Sequence, residues 1–461
     1  MSLVEERPAP DLVTTVPPKK PLSLLKLLET ARDNVMAALP QAAYQQPVYV
    51  LKSAFGTLYI VSDPAGVKRV LLDNVANYPK GKADARFLAA AFGDGLLTSD
   101  GDKWRRHRRI MAPSFDHRSI VAYAPAMVET TQNYIAKWDN LPDDAVVDIA
   151  AEMTALTLNL ISRTMFSSDS DEMAGLVGRT LAQGVGEMDF GLLDMLPGIG
   201  SWRINRKLAD LRAIFSALDG SIHKLIDQRA NGPQDDAPQD LLARLVAARD
   251  VEGGAGMTVE EIRDEVVIIF IAGHETTAGA MTFVWYLLSK HPWVEEKLHR
   301  ELDEALGGRT PTYDDLENLP YAKQVIQETM RLYPSAPGLT SRRAEAKDVI
   351  GTTPIPKGGE VMIAPWIVHR HQALWPDPER FDPERFSPEH SAGRDRFAYM
   401  PFGGGPRICI GAALAMTEAQ LILATIAQRY RPRYVEDQAL ALKARITMRP
   451  RDGLKMTLKR R

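Results

Sequence analysis

The chain has 461 residues, 45% hydrophobic, 25% charged and 7% aromatic, an apolar share that excludes a disordered polypeptide and supplies a large core. Lysine and arginine number 56 against 59 acidic residues, a net charge of −3, so nothing at whole-chain level points to nucleic acid or an anionic membrane. The single cysteine, Cys409, excludes an intrachain disulfide, zinc knuckles and cysteine-ligated iron–sulfur clusters.

Residues 1–40 form a proline-rich segment. Five prolines fall between Pro8 and Pro21, and Glu5 and Glu6 stand where a signal peptide is basic, so no secretory apolar run can be built and the cytoplasm is the expected location, without a membrane anchor. Residues 41–461 contain no dividing linker and read as a single domain. Val48–Leu51 and Thr57–Val61 predict two short strands. From Asp63 to about Arg331 the pattern is chiefly helical, with 3.6-residue spacing in Met127–Asp139 and Leu208–Arg229 and a polar loop at Asn231–Asp240.

Val266–Leu288 is nearly all apolar but carries His274 and Glu275 near its middle. A charge there is costly in lipid, so the segment predicts a helix buried on all sides in a large protein, begun by a capping box at Thr258 and Glu261. Beyond Pro334 the spacing predicts a strand at Glu360–Ile363, a helix at Ala412–Tyr430, and a hairpin pairing Ile446–Met448 with Leu454–Leu458. The expected class is mainly α with small peripheral β-sheets.

Three places carry chemistry. Cys409 follows three glycines and Arg407 and precedes a helix, where the dipole and free N–H groups favour the thiolate that a metal needs; a lone packed cysteine would not require the glycines or the arginine. Glu328 and Arg331, three apart on a helix, can form a buried ion pair or a plain surface bridge. In Ala272-Gly273-His274-Glu275-Thr276-Thr277, Thr276 can bond back to the Ala272 carbonyl and open the helix, with Gly273 leaving room for a small ligand; polar residues bridging two packed helices are the plainer alternative. Trp104 and Arg108 share a helical face.

The string F-x-x-G-x-R-x-C-x-G at Phe402, Gly405, Arg407, Cys409 and Gly411 resembles the ligand loop of the cytochrome P450 family. That resemblance implies heme b, with Cys409 as the proximal iron ligand and Arg407 on a heme propionate. Glu328 and Arg331 are similar to the family's E-x-x-R, whose third member comes from a P-E-R-F segment: Arg385 in Pro383–Phe386, with a near-duplicate at Pro378–Phe381. Their implied role is structural. The Ala272–Thr277 string resembles the oxygen-activation motif, which implies Thr276 and Glu275 as the catalytic pair and Ala272 and Gly273 as residues on the cofactor. Trp104, Arg108 and Arg343, with Arg342 the contender, are the further implied propionate contacts.

The resemblance implies the cytochrome P450 fold, a long buried helix over the heme, and a monooxygenase that hydroxylates a lipophilic small molecule with O2. Only 52 residues follow Cys409, too few for a flavin domain, so NAD(P)H electrons are expected through separate proteins, a ferredoxin and ferredoxin reductase, serving a monomer. A peroxide-using enzyme would dispense with Glu275 and Thr276; a heme sensor would not turn over NAD(P)H. Expected pocket walls are Phe87–Leu97, Met188–Met195, Ile268–Ala272 and Ala336–Leu339, with Lys82 or Arg86 as a grip for a carboxylate.

Overall fold

The computed structural model describes residues 12–53, 56–81, 88–90, 92–167, 175–176, 178, 180, 199–231, 240–249, 254 and 256–461. Phe87, Met188–Met195, Lys82, Arg86 and most of the polar loop after Asn231 lie outside the described residues.

Six helices shape the site: α1 (Gly101–Met111), α2 (His117–Ile135), α3 (Ile149–Phe166), α4 (Val259–Lys290), α5 (Pro320–Leu332) and α6 (Ala412–Ala427). α4 begins in the expected capping box, with Glu261 N–H donating to Thr258 Oγ1 (3.2 Å) and Thr258 N–H to Glu261 Oε2 (3.0 Å), which satisfies two of the four free donors of the first turn. Its 32 residues span about 48 Å at 1.5 Å each. The helix is long and apolar enough to cross a membrane, but Val266, Val267, Phe270, Met281, Phe283, Val284 and Leu287 are buried in the protein's largest core.

Close packing against α3 fixes where α4 runs. A Cβ on Gly273 would lie 2.3 Å from Ile161 Cδ1, and Thr157 Oγ1 of α3 donates to the His274 carbonyl at 2.9 Å. On its Cβ side Gly273 therefore serves helix–helix approach.

Four strands, Val48–Ser53, Gly56–Val61, Glu360–Met362 and Arg342–Arg343, form one sheet in that spatial order, with the middle pair parallel (Tyr59 beside Val361) and Arg342 opposite Val361. The C-terminal region departs from its reading. Met448–Pro450 pairs back with Leu442–Ala444, while Lys455–Arg460 inserts between Val146–Asp148 and Tyr430–Tyr434. Alternation, with Met456 and Leu458 buried, marks a strand but does not name its partners, one of which, Val146–Asp148, lies some three hundred residues away. α6 ends at Ala427 rather than Tyr430 because Tyr430 opens the strand Tyr430–Tyr434 and its hydroxyl bonds to Asp139.

Candidate active site

The loop before α6 is shaped by glycine. Gly403 (φ +73°) and Gly405 (φ +68°) sit in the left-handed region, and a Cβ on Gly405 would fall 1.8 Å from the Leu71 carbonyl oxygen, so no side chain is possible there. The loop closes through Cys409 N–H donating to the Phe402 carbonyl at 2.9 Å. Gly411 follows as the first residue before α6, with the Phe115 ring beside it.

Cys409 is accessible to a solvent-sized sphere, yet burial pushes its thiol pKa up against the Gly411 N–H and the Arg108 charge, which lower it. Both hold if the sulfur faces a cleft inside the protein rather than the outer surface. α1 borders that cleft: Arg108 Nη1 donates to the Ile408 carbonyl at 2.7 Å.

Arg407 lies over the Trp104 ring, 4.3 Å from its centroid, donates to the Ser99 carbonyl at 3.3 Å and pairs with Asp100. Asp100 also caps α1 through Gly101 N–H and accepts Lys80 N–H at 3.2 Å. Lys80 reaches the Leu97 and Ser99 carbonyls with its ammonium. Arg342, whose backbone pairs with that of Lys80 in an isolated antiparallel β-bridge, is buried, and its Nη1 has no hydrogen-bond partner among the described residues.

Lys80, Arg342 and Arg407 thus gather near Asp100, with Asp94 a weaker influence on Lys80. Burial, with Arg407 and Arg342 alongside, pulls the Lys80 pKa down to about 7, and burial plus Arg407 pulls Arg342 down to about 10. Such a cluster is incomplete without further negative charge. Arg343, the sequence choice, points the other way: it is exposed and meets Glu360 at 3.6 Å on the surface. Adjacent strand residues face opposite sides, so Arg342 replaces Arg343 as the inward arginine.

On α4, burial breaks at one place. Residues 265–270 and 277–288 are buried, whereas Ala272 is exposed and Ile271, Gly273, Glu275 and Thr276 are half-buried. An exposed alanine at the centre of a core helix opens onto interior space. Thr276 Oγ1 donates to the Ala272 carbonyl at 2.7 Å, the back-bond expected from the sequence, and Ser335 Oγ takes the Thr276 carbonyl at 2.7 Å. Glu275 stands 3.8 Å from Arg449. His274 bonds the Phe270 carbonyl through Nδ1 at 2.6 Å, and burial lowers its pKa against that bond and the Glu275 charge.

Beneath the loop, Arg331 pairs with Glu328, and both side chains are fully buried. The remaining donors of Arg331 go to the carbonyls of His369 (2.9 Å), Pro378 (2.7 Å) and Arg380 (2.9 Å), while Glu328 Oε1 accepts Asp382 N–H at 3.0 Å and lies 3.4 Å from Arg385 Nε. Both P-E-R-F copies are therefore used, the first for carbonyls and the second for Arg385. The sequence reading missed Lys80, Asp100 and Arg449. Asp100 before a helix start is a capping signal; nothing local marks the other two.

The cytochrome P450 family model matches residues 17–456. The chain is a cytochrome P450. It is 34% identical to cyclooctat-9-en-7-ol 5-monooxygenase of Streptomyces melanosporofaciens, over 95% of both chains, and 31% identical to bifunctional cytochrome P450/NADPH–P450 reductase 1 of Bacillus subtilis (strain 168), over 94% of this chain and 41% of that one. Among solved structures, the cytochrome P450DA heme domain superposes with a TM-score of 0.84 at 28% identity, covering 98% of this chain and 99% of that chain. The protein is thus an oxygen-incorporating oxidoreductase, and membership implies heme. The residues present fit it: one accessible thiol in a glycine-shaped loop, an opening in α4, and a cation cluster short of the two negative charges that heme propionates carry.

Proposed function

We propose that this cytochrome P450 is a heme-thiolate monooxygenase that hydroxylates a lipophilic small molecule with O2, drawing NAD(P)H electrons through a separate ferredoxin and ferredoxin reductase. The observation that carries the reading is the under-neutralised cluster of Lys80, Arg342 and Arg407 beside the accessible thiol of Cys409. When bound, heme supplies the oxygen-activating redox centre.

Cys409 would hold the iron as thiolate. Arg407, Arg342 and Lys80 would take the propionates, with Arg108 and Trp104 setting the position of that arm. The orphaned Nη1 of Arg342 would then gain an acceptor, and the Lys80 pKa would rise. Thr276 can turn its hydroxyl from the Ala272 carbonyl into the cleft as a donor, and Glu275 can carry protons to it from the Arg449 side. Leu88, Leu96, Leu97, Ile271 and Leu339, partly buried in the segments expected to wall the pocket, are apolar, which suits a lipophilic substrate. A cleft of about 450 Å³ beside the ligand loop, with Lys323 and Arg396 on it, suits an acidic electron donor.

The test is spectroscopic: purified protein should bind one heme b and its reduced carbonyl adduct should show the red-shifted Soret band of thiolate ligation. Cys409→Ser should lose that band; its survival would refute the assignment.

A further inference from the structure

His107 lies on α1 between Arg106 and Arg108, is fully buried, and has a carboxylate on each ring nitrogen. Nδ1 is 2.6 Å from Glu265 Oε1 and Nε2 is 3.2 Å from Glu261 Oε1. A neutral imidazole donates from only one nitrogen, so the other lone pair would face a carboxylate lone pair in a buried place. We infer that His107 is held as an imidazolium and that its proton latches α1 to α4, making it a positioning residue for the site that both helices border.

The surroundings leave that proton little alternative. Glu261 and Glu265 are one turn apart on the same face of α4. Glu261 is kept down at about 2, against burial, by Thr258 N–H, Arg106 and His107, so it stays charged. Glu265 is fully buried, its Oε2 has no hydrogen-bond partner, and among the described residues His107 is its only cation. From the loop packed on this point comes Gly95, where a Cβ would sit 3.0 Å from the Glu265 carboxyl. The neighbouring Asp264 is engaged by Arg263 (2.9 Å) and Asp94 N–H (2.7 Å), and Asp94 by Lys103 (2.8 Å). Burial lowers the affinity of His107 for its proton, but Glu265 and Glu261 together outweigh it and the pKa is raised.

The latch joins two walls. On α1, one residue after His107, Arg108 holds the carbonyl preceding Cys409, and Trp104 lies under Arg407. On α4, Glu265, Ala272 and Thr276 are separated by seven and four residues and share a face. The separation between the thiol side and the Thr276 side is thus set by a bond that exists only while His107 is protonated. Because the folded-state pKa is raised, the stabilisation is complete below the unfolded value of about 6.5 and is lost as pH rises through the folded value.

The proton itself can be seen without reference to the heme. In ferrous carbonyl protein with 15N-labelled histidine, one imidazole should keep both ring nitrogens protonated at pH 8. That signal should vanish in His107→Gln, and in Glu265→Gln its titration midpoint should fall by about one pH unit or more. If no doubly protonated imidazole is present, or it survives in His107→Gln, the proton sits elsewhere and the inference fails. The positioning role rests on the heme-thiolate reading and is tested by the pH at which the thiolate-type Soret band is lost. That pH should follow the histidine midpoint and move down with it in Glu265→Gln; an unmoved pH in that variant would reduce His107 to a packing residue. A protein lacking the thiolate-type band at every pH would refute the heme-thiolate reading instead, with the histidine signals still deciding the proton. If His107→Gln does not fold, Glu265→Gln decides both questions.

Discussion

Arg331 Nε donates to Glu328 Oε2 at 2.7 Å, with neither side chain reaching solvent. Its other hydrogen bonds go to the carbonyls of His369, Pro378 and Arg380, in the segment leading to the ligand loop. Removing either partner leaves a buried charge unpaired, which costs about 3–5 kcal/mol. Glu328→Ala and Arg331→Ala are expected to yield little heme-loaded protein and a markedly lower melting temperature, measured by the Soret-to-protein absorbance ratio and thermal unfolding. Normal loading and melting in both would show that the pair is dispensable.

Arg342 and Arg343 make a sharper test because they differ only in the face of the strand that they occupy. Arg342→Ala is expected to lower heme retention, since a buried guanidinium with a free Nη1 is lost from the propionate side. Arg343→Ala removes a surface bridge to Glu360 worth about 0–1 kcal/mol and should leave retention unchanged. Heme transfer to apomyoglobin measures both; the opposite order would restore the sequence-based choice of Arg343.

That pair also shows what a sequence can and cannot disclose. The ligand loop, the E-x-x-R and the motif in α4 are legible because each packs its chemistry into a few consecutive residues or one helical turn. Arg342 against Arg343 is a question of strand parity, decided by the pairing of Arg342 with Val361, which no local pattern states. Lys80 and Asp100 meet Arg407 across some three hundred residues, and His107 reads as one more member of the basic run Trp104–Arg108. Of the C-terminal strands, those near Met448 and Leu454–Leu458 are legible as strands but not by their partners, whereas Tyr430–Tyr434 and Leu442–Ala444 are not legible at all.

Lys80 supplies a pH dependence with a definite sign. Its folded-state pKa without heme is about 7, against about 10.4 unfolded. Between those values the unfolded chain binds more protons, so heme-free protein gains stability as pH rises through that window. Propionates beside Lys80 would raise its folded pKa and remove this slope. Cys409, a thiol in heme-free protein and a thiolate when it holds the iron, acts on the melting-temperature gap between the two forms in the opposite direction, so Lys80 is read from the difference between wild type and Lys80→Met, in which the Cys409 and His107 contributions cancel. From pH 7 to pH 10 the gap between heme-loaded and heme-free protein should fall in wild type relative to Lys80→Met. The same pH course of the gap in both proteins would place Lys80 outside the propionate site.

Thr276 bears on the reaction rather than on the assembly of the site. Its hydroxyl spends its hydrogen bond on the Ala272 carbonyl at 2.7 Å, at the one turn of α4 that opens inward, and the helix is braced there by Ser335 on the Thr276 carbonyl. Thr276→Ala removes the hydroxyl and leaves both the brace and the Gly273–Ile161 packing intact. Heme loading, melting temperature and substrate-induced Soret shifts should all survive. The proton donor at the opening is then lost, and general-acid assistance of this kind is worth roughly 10²–10⁴-fold. Electrons should consequently leave as hydrogen peroxide, so that the product formed per NAD(P)H falls while peroxide rises in step. Glu275→Gln should instead slow NAD(P)H consumption, because it interrupts the supply of protons from the Arg449 side but keeps the hydroxyl. The two variants are separated by quantifying product, peroxide and NAD(P)H in one reaction. An unchanged product-to-NAD(P)H ratio in Thr276→Ala would reduce Thr276 to a helix-opening residue and leave Glu275 or water as the donor.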